Sequence, residues 1–323
     1  SLTKDKLGNI RSYIIVPNPY YYGQKSFLEK ITFKFYPDPA TAVAALKNHS
    51  IEGISFLPKE LKSDLLGRKD IRYHSFYLPQ YTAIFFNQKQ NEVLKDKNIR
   101  KALALAIDKS KILTEALQLE GEIIEGPILP TTTEINQEKK LSFDPSQADQ
   151  ILEKSGWKKI TDQEYQDWLN KQNESKKNGN ENEDETEKNQ SESSTSTEKI
   201  NENTVVEPIQ QFYRIKDNKI LEITLTTVNQ PENSKAASLV KESWEDIGIK
   251  VNLQIIDSGK ISREIIKPRN YQVFLFGIIV GSNPDPYPFW HSSQVQDPGL
   301  NLALLANREV DRLLEEAKKT EDE

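Results

Sequence analysis

The chain has no cysteine and no methionine, only three histidines and 13 glycines among its 323 residues. No apolar run approaches the ~20 residues of a membrane-spanning helix. Each shortage excludes a chemistry. Without cysteine there is no disulfide, no thiolate nucleophile and no cysteine-based zinc site. His49, His74 and His291 are too scattered for the HExxH type of metal spacing. No Gly-rich phosphate cradle and no GxSxG elbow is present. His291 stands beside Ser292 and Ser293, but neighbours in sequence rarely face each other productively, so a structural or ligand-packing role is expected. Nothing fixes a separation between Asp257 and Asp285, and Asp285 before Pro286 reads as a turn or cap residue. No catalytic residue, metal site or cofactor is therefore assigned, and an enzyme is not expected. The net charge of -6 also argues against nucleic acid, which needs a concentrated positive field.

At this length two domains fit. The chain opens on Ser1 rather than methionine, and is read as a piece whose native N-terminus and targeting signal lie outside it.

What is present is an alternation of strand-like and helix-like segments, an α/β pattern. Ile31, Phe33 and Phe35 alternate with polar neighbours as in a half-buried strand. Asp38-Pro39 then reads as an N-cap followed by a proline that pre-sets the first helical turn. Ala42, Val43, Ala45 and Leu46 supply that helix's apolar face, and Ile51, Ile54 and Phe56 suggest a returning strand, completing a βαβ unit. Asp144-Pro145 repeats the cap ahead of a helix ending at Gly156-Trp157. Further on come a strand at 220–226, a helix stopped by Gly248, strands at 251–255 and from Tyr271, a proline-punctuated loop at 283–288 and a last helix around Leu313.

One stretch breaks the alternation. Residues 170–204 hold a single large apolar residue, Ile200, among Asn, Glu, Lys, Ser and Thr. Such a composition cannot bury enough apolar surface to offset ordering entropy, so disorder is expected. Its nine acids exceed its five lysines, and without it the net charge is about -2. It is a surface tether or a tolerated loop insertion. Aromatic residues stand out elsewhere: Tyr20, Tyr21 and Tyr22, then Tyr77 and Tyr81, and Tyr287, Phe289 and Trp290. They fit either a ligand groove or the edges of sheets.

The most specific string is 84–113, IFFNQKQNEVLKDKNIRKALALAIDKSKIL. It reads as a buried strand, an opening Asn87 and an amphipathic helix with Ile99, Leu103, Ala106 and Ile107 on one face. It resembles the middle of the extracellular solute-binding proteins of family 5, which feed oligopeptide, dipeptide and nickel ABC importers. Other pieces agree in order. Asn18-Pro-Tyr-Tyr-Tyr-Gly23 is similar to the family's N-P-x-Y-W-G entry, with Tyr22 in place of Trp. FDPSQADQILEKSGW, WEDIGIKVNL, YQVFLFG and Pro284-Asp285-Pro286 follow. The family's Pro-Phe before the conserved-type helix is here Val93-Leu94.

The resemblance implies a periplasmic-binding-protein-like fold of two α/β lobes (type II, cluster C) that close on a ligand. Residues 1–78 would be part of the first lobe and 79–323 a nearly complete second lobe, interrupted by 170–204. It implies no bond-breaking activity, but an extracytoplasmic subunit, periplasmic or lipid-anchored through a segment outside this chain. That subunit would bind a peptide and hand it to a membrane permease. Another small solute, or a surface scaffold that has lost transport, is the alternative. The residues expected to meet ligand are Tyr81, Phe85, Asn87, Ile279, Val280, Gly281, Ser282 and Asn283. In peptide-binding relatives an Asp a few residues before the Asp-Pro (or Glu-Pro) of this loop pairs with the ligand's α-ammonium. Here 278–283 carry no acid, with Gly281 or Ser282 in that place.

Overall fold

The computed structural model describes residues 1–6, 8, 10–55, 57–58, 61–74, 76, 78–127, 141–180, 211–281 and 285–319, the side chains of 175–180 excepted. The chain divides into two compact units, 1–77 and 78–323.

In the first unit, strands β1 (Leu2–Lys4), β2 (Ile10–Ile15) and β3 (Ile31–Lys34) form an antiparallel sheet in that order. Helix α1 (Pro39–Lys47) follows as its sequence demands. The amide of Thr41 donates to Asp38 Oδ1 at 2.8 Å and Pro39 opens the first turn. The expected βαβ unit does not form. Residues 51–55 carry no strand, and Phe56 lies outside the described residues. The reason is β2, whose alternation offers β3 an antiparallel neighbour close in sequence, so no crossover strand is needed. Nor is β3 half-buried, since all four of its residues are exposed.

The second unit is built on a four-stranded sheet of order β4-β10-β8-β9: β4 (Gln80–Phe86), β8 (Glu222–Val228), β9 (Lys250–Ile256) and β10 (Val273–Ile279). β10, β8 and β9 run parallel, and β4 runs antiparallel along β10. Side chains alternate between two cores, as the pleat requires. Ile84 and Phe86, Ile223 and Leu225, Val251 and Leu253, and Val273 and Leu275 face one side. There they meet α2 (Lys97–Leu105), α4 (Pro145–Lys154) and α6 (Pro231–Glu245) through Leu103, Leu152 and Trp244. Tyr81, Phe85, Val228, Phe274 and Ile278 face the other side, against Ile261, Ile265, Tyr271 and Phe289.

The helix read from 99 to 107 stops at Leu105. Asp108 accepts the amides of Ser110 and Lys111 and so starts a second helix, α3 (Lys109–Glu115). A side sheet that sequence reading did not find joins β5 (Lys158–Thr161), β6 (Phe212–Lys216) and β7 (Lys219–Ile220). Between β5 and β6 runs α5 (Asp162–Asn180). The stretch expected to be disordered thus begins as helix through residue 180. Tyr165 anchors that helix, stacked on Tyr213 at 3.9 Å between ring centroids, and Lys, Gln and Glu beyond it are good helix formers. Residues 181–204 lie outside the described residues. α7 (Tyr287–Trp290) and α8 (Arg308–Lys319) complete the unit.

Candidate functional site

Strand order fixes where a site can form. From β8 the chain crosses by α6, on one face of the sheet, to its neighbour β9. From β9 it returns by residues 257–272, on the other face, to β10 on the far side of β8. The winding therefore reverses at β8 and β10, and the carboxyl ends of these strands form a topological switch point, the usual ligand position of open α/β sheets. Val228, Asn229 and Gln230 edge it on one side, and Ile279, Val280 and Gly281 on the other.

β10 outruns β8 at this point. Its ladder with β8 covers Val273 to Leu275, whereas its ladder with β4 continues to Ile279. β8 ends at Val228, where the amide of Gln230 turns back to Val228 O at 2.8 Å and α6 begins. Asn87 N donates to Gln272 O, and Val280 N to Pro79 O, both at 2.8 Å. The even-numbered residues of β10 thus hydrogen-bond toward β4, and Gly277 and Ile279 point their main-chain groups to the opposite side. That is the side on which the β8 ladder has ended. Ile279 is 69% exposed. Gly281 has φ +83, a left-handed conformation open to glycine, and a Cβ there would meet nothing within 4 Å.

The expected ligand residues separate into two groups. Ile279, Val280 and Gly281 sit together at the carboxyl end of β10, at the switch point, while Ser282 and Asn283 lie outside the described residues. Tyr81 and Phe85 are instead buried in the second core. Burial pushes the Tyr81 phenol up; Trp290 is close enough to pull it partly back, but not aligned for a hydrogen bond. Asn87 is 1% exposed; its Nδ2 donates to Arg269 O and its Oδ1 accepts from Lys89 N, both at 3.0 Å. Its side chain joins the end of β4 to the turn before β10. His291 stacks on Tyr287, its Nδ1 accepts the Ser293 amide at 3.1 Å and its Nε2 lies 3.4 Å from Glu315 of α8. Asp285 Oδ1 accepts from Tyr287 N at 2.9 Å, a turn contact. Tyr20, Tyr21 and Tyr22 are exposed in the first unit, and Tyr77 lies outside the described residues.

Sequence reading missed Asn229 and Gln230. Their signal is a polar pair between an apolar strand and Pro231, the first helical residue of α6. Among the described residues no three His, Asp or Glu side chains gather as metal ligands.

The model of bacterial extracellular solute-binding proteins, family 5 Middle, matches residues 8–299. The oligopeptide-binding protein AppA of Bacillus subtilis is 25% identical over 311 residues, 94% of this chain and 48% of that protein. Its structure with a nonapeptide superposes with a TM-score of 0.69 at 24% identity, over 99% of this chain and 54% of that one. NikZ of Campylobacter jejuni, solved with Ni(L-His), gives a TM-score of 0.71 at 22% identity, over 99% of this chain and 55% of that one. These two structures share the fold, and this chain spans about half of their length. The chain belongs to the bacterial extracellular solute-binding proteins of family 5.

Proposed function

We propose that this chain carries the ligand-receiving edge of a binding subunit that serves an ABC importer outside the cytoplasm, and that its ligand is a peptide. In this reading residues 1–78 belong to one lobe and 79–323 to the other, and the ligand is passed to a membrane permease without any bond being broken. A lipid anchor outside this chain would hold the subunit at the membrane. The observation that carries the reading is the overrun of β10 past β8. An extended peptide laid in line with β8 would find the main-chain donors and acceptors of Gly277 and Ile279, adding a strand at the switch point. Gly281 and the preceding exposed Ile279 leave room for side chains of varied size.

Residues 278–284 carry no acid. A free ammonium left there without a counterion would be costly once the site closed. The peptide terminus is therefore held elsewhere, or the register of the bound peptide places uncharged backbone at this point. Asn229 and Gln230 supply neutral amides that suit such backbone. Native mass spectrometry of the full-length protein, purified from cells grown in rich medium, tests this. Co-purifying peptides are expected, and their masses report whether the termini are free. A preparation carrying a metal chelate or a sugar instead would overturn the peptide reading while keeping the importer. An empty protein that gains no thermal stability from a peptide pool would favour a scaffold.

A further inference from the structure

Level with Gly277 the main sheet carries a row of small and polar residues. Thr82 of β4 pairs with Gly277 of β10. Continuing the register of β10 and β8 two residues past Leu275 and Thr227 sets Asn229 beside Gly277. The ladder of β8 and β9 ends at Val228 and Ile256, and the Asn229 amide extends it by donating to Ile256 O at 2.7 Å. Asp257 therefore comes next to Asn229. Strand parity puts all four on the α6 side of the sheet, beyond the last core residues of that face. Thr82, Asn229 and Asp257 are exposed there. Asp257 is held in place by its own turn. Its Oδ1 accepts the Gly259 amide at 2.8 Å, its main-chain oxygen accepts the Lys260 and Ile261 amides, and the Ser258 hydroxyl donates to Asn229 O at 3.3 Å. Among the described residues the second carboxylate oxygen of Asp257 has no partner, and no Lys or Arg forms an ion pair with it.

We propose that Asp257 is the counter-ion for an ammonium group of the bound peptide, its amino terminus or a lysine side chain. The inference rests on the peptide reading above, and it supplies the negative charge that residues 278–284 lack. A peptide laid in line with β8 runs between the lines of β10 and β9, about 4.8 Å from each. Its end nearest β8 therefore starts beside Asn229 and Asp257, within reach of an aspartate side chain. A peptide running in the direction of β8 brings its ammonium to that place. One running the other way brings its carboxylate, which Asp257 repels unless a lysine side chain lies alongside. The other acids close in sequence to these strand ends are already engaged. Asp285 accepts the Tyr287 amide, and Glu232, in the first turn of α6, makes a contact of its own. In open water such a charge pair is weak, and it strengthens as the closing site excludes water.

The test compares full-length wild type, Asp257→Asn and Asp285→Asn in their affinity for three synthetic peptide pools of one length. The first has free amino termini and no Lys or Arg, the second is the same pool N-acetylated, and the third is acetylated with one lysine per peptide. Asn keeps the acceptor for the Gly259 amide, so Asp257→Asn should unfold at the wild-type temperature. Wild type and Asp285→Asn should bind at least one ammonium-bearing pool about tenfold or more tightly than the neutral pool, and Asp257→Asn should lose that preference. The pool that carries the preference identifies the ammonium. A preference that Asp257→Asn keeps, or that Asp285→Asn abolishes, overturns the proposal. So does an Asp257→Asn protein that unfolds early and loses the neutral pool as well, which would mark the carboxylate as structural. Wild type that binds all pools alike overturns this inference alone. Wild type that binds none of them overturns the peptide reading and this inference with it.

Discussion

Asn87 was expected to touch ligand, and its surroundings give a sharp way to decide. Replacing it with alanine removes the donor to Arg269 O and the acceptor from Lys89 N. Lys89 is exposed, so water can take over its amide, but Arg269 is only 5% exposed and its carbonyl loses a buried partner. One orphaned buried acceptor costs about 1–3 kcal/mol. For a unit of this size that is a fall of roughly 2–12 °C in Tm, at ~2–4 °C per kcal/mol. All four tryptophans lie beyond residue 78, so their fluorescence during urea or thermal unfolding follows the second unit alone. Asn87→Asp sharpens the test. It keeps the acceptor for Lys89 but sets a buried carboxylate against a carbonyl oxygen. That carboxyl has a folded pKa raised above its unfolded value of about 3.9. The variant is therefore closest to wild type at low pH and loses stability as pH rises through the raised value. Ligand affinity is expected to be unchanged in both variants. If Asn87→Ala stays within about 0.5 kcal/mol of wild type, the usual range of an inconsequential surface change, yet abolishes binding, the structural assignment of Asn87 is wrong.

Further outcomes follow from other contacts. The amide and hydroxyl of Thr41 hold the Asp38 carboxyl below its ordinary value, so the cap of α1 is intact above the unfolded pKa and is lost as pH falls through the lowered one. Asn at this position keeps the cap without the titration, and the protection of the Thr41 amide, its exchange relative to the intrinsic rate at each pH, should then be flat across acid pH; a persistent acid step in protection would refute the assignment. Gly248→Ala should destabilise by more than about 1 kcal/mol, because φ is +87 and the new Cβ would meet the Phe212 ring at 2.5 Å; unchanged urea unfolding would contradict this. Replacing residues 175–210 with a short Gly-Ser linker should leave Tm within roughly 2 °C. The side sheet is held by the Tyr165–Tyr213 stack and by Arg214, wholly buried, which donates to Trp157 O, Ile247 O and Asp149. A large drop in calorimetry would show that the replaced segment itself stabilises the fold.

The main sheet was legible because its strands are apolar on both faces or alternate cleanly, and because Asp-Pro and Gly punctuate the helices. Val273 to Ile279 and Lys250 to Ile256 could be read directly from their residues. β5, β6 and β7 were not, since KKIT and FYRIK are short and charged. Their stability comes from Arg214 reaching Asp149 and from Tyr213 stacking on Tyr165, contacts far apart in sequence. The switch point was half legible. Ile279 to Gly281 follow an evident strand, but the importance of Asn229 and Gln230 depends on β8 and β10 being neighbours, which no local pattern reveals. Tyr81 and Phe85 illustrate the reverse difficulty. An aromatic in a strand looks alike whether it lines a groove or a core, and only the parity of the sheet places both inside.

In the proposed mode of binding an extended ligand pairs with β10 beyond the end of β8. Site-resolved amide exchange in the full-length protein, with and without a pool of peptides, reports on this pairing residue by residue. Gly277 and Ile279 should exchange rapidly without ligand and slow markedly with it, while Phe276 and Ile278, which face β4, change little. Ligand binding that leaves Gly277 and Ile279 as fast as before would rule out strand addition at β10.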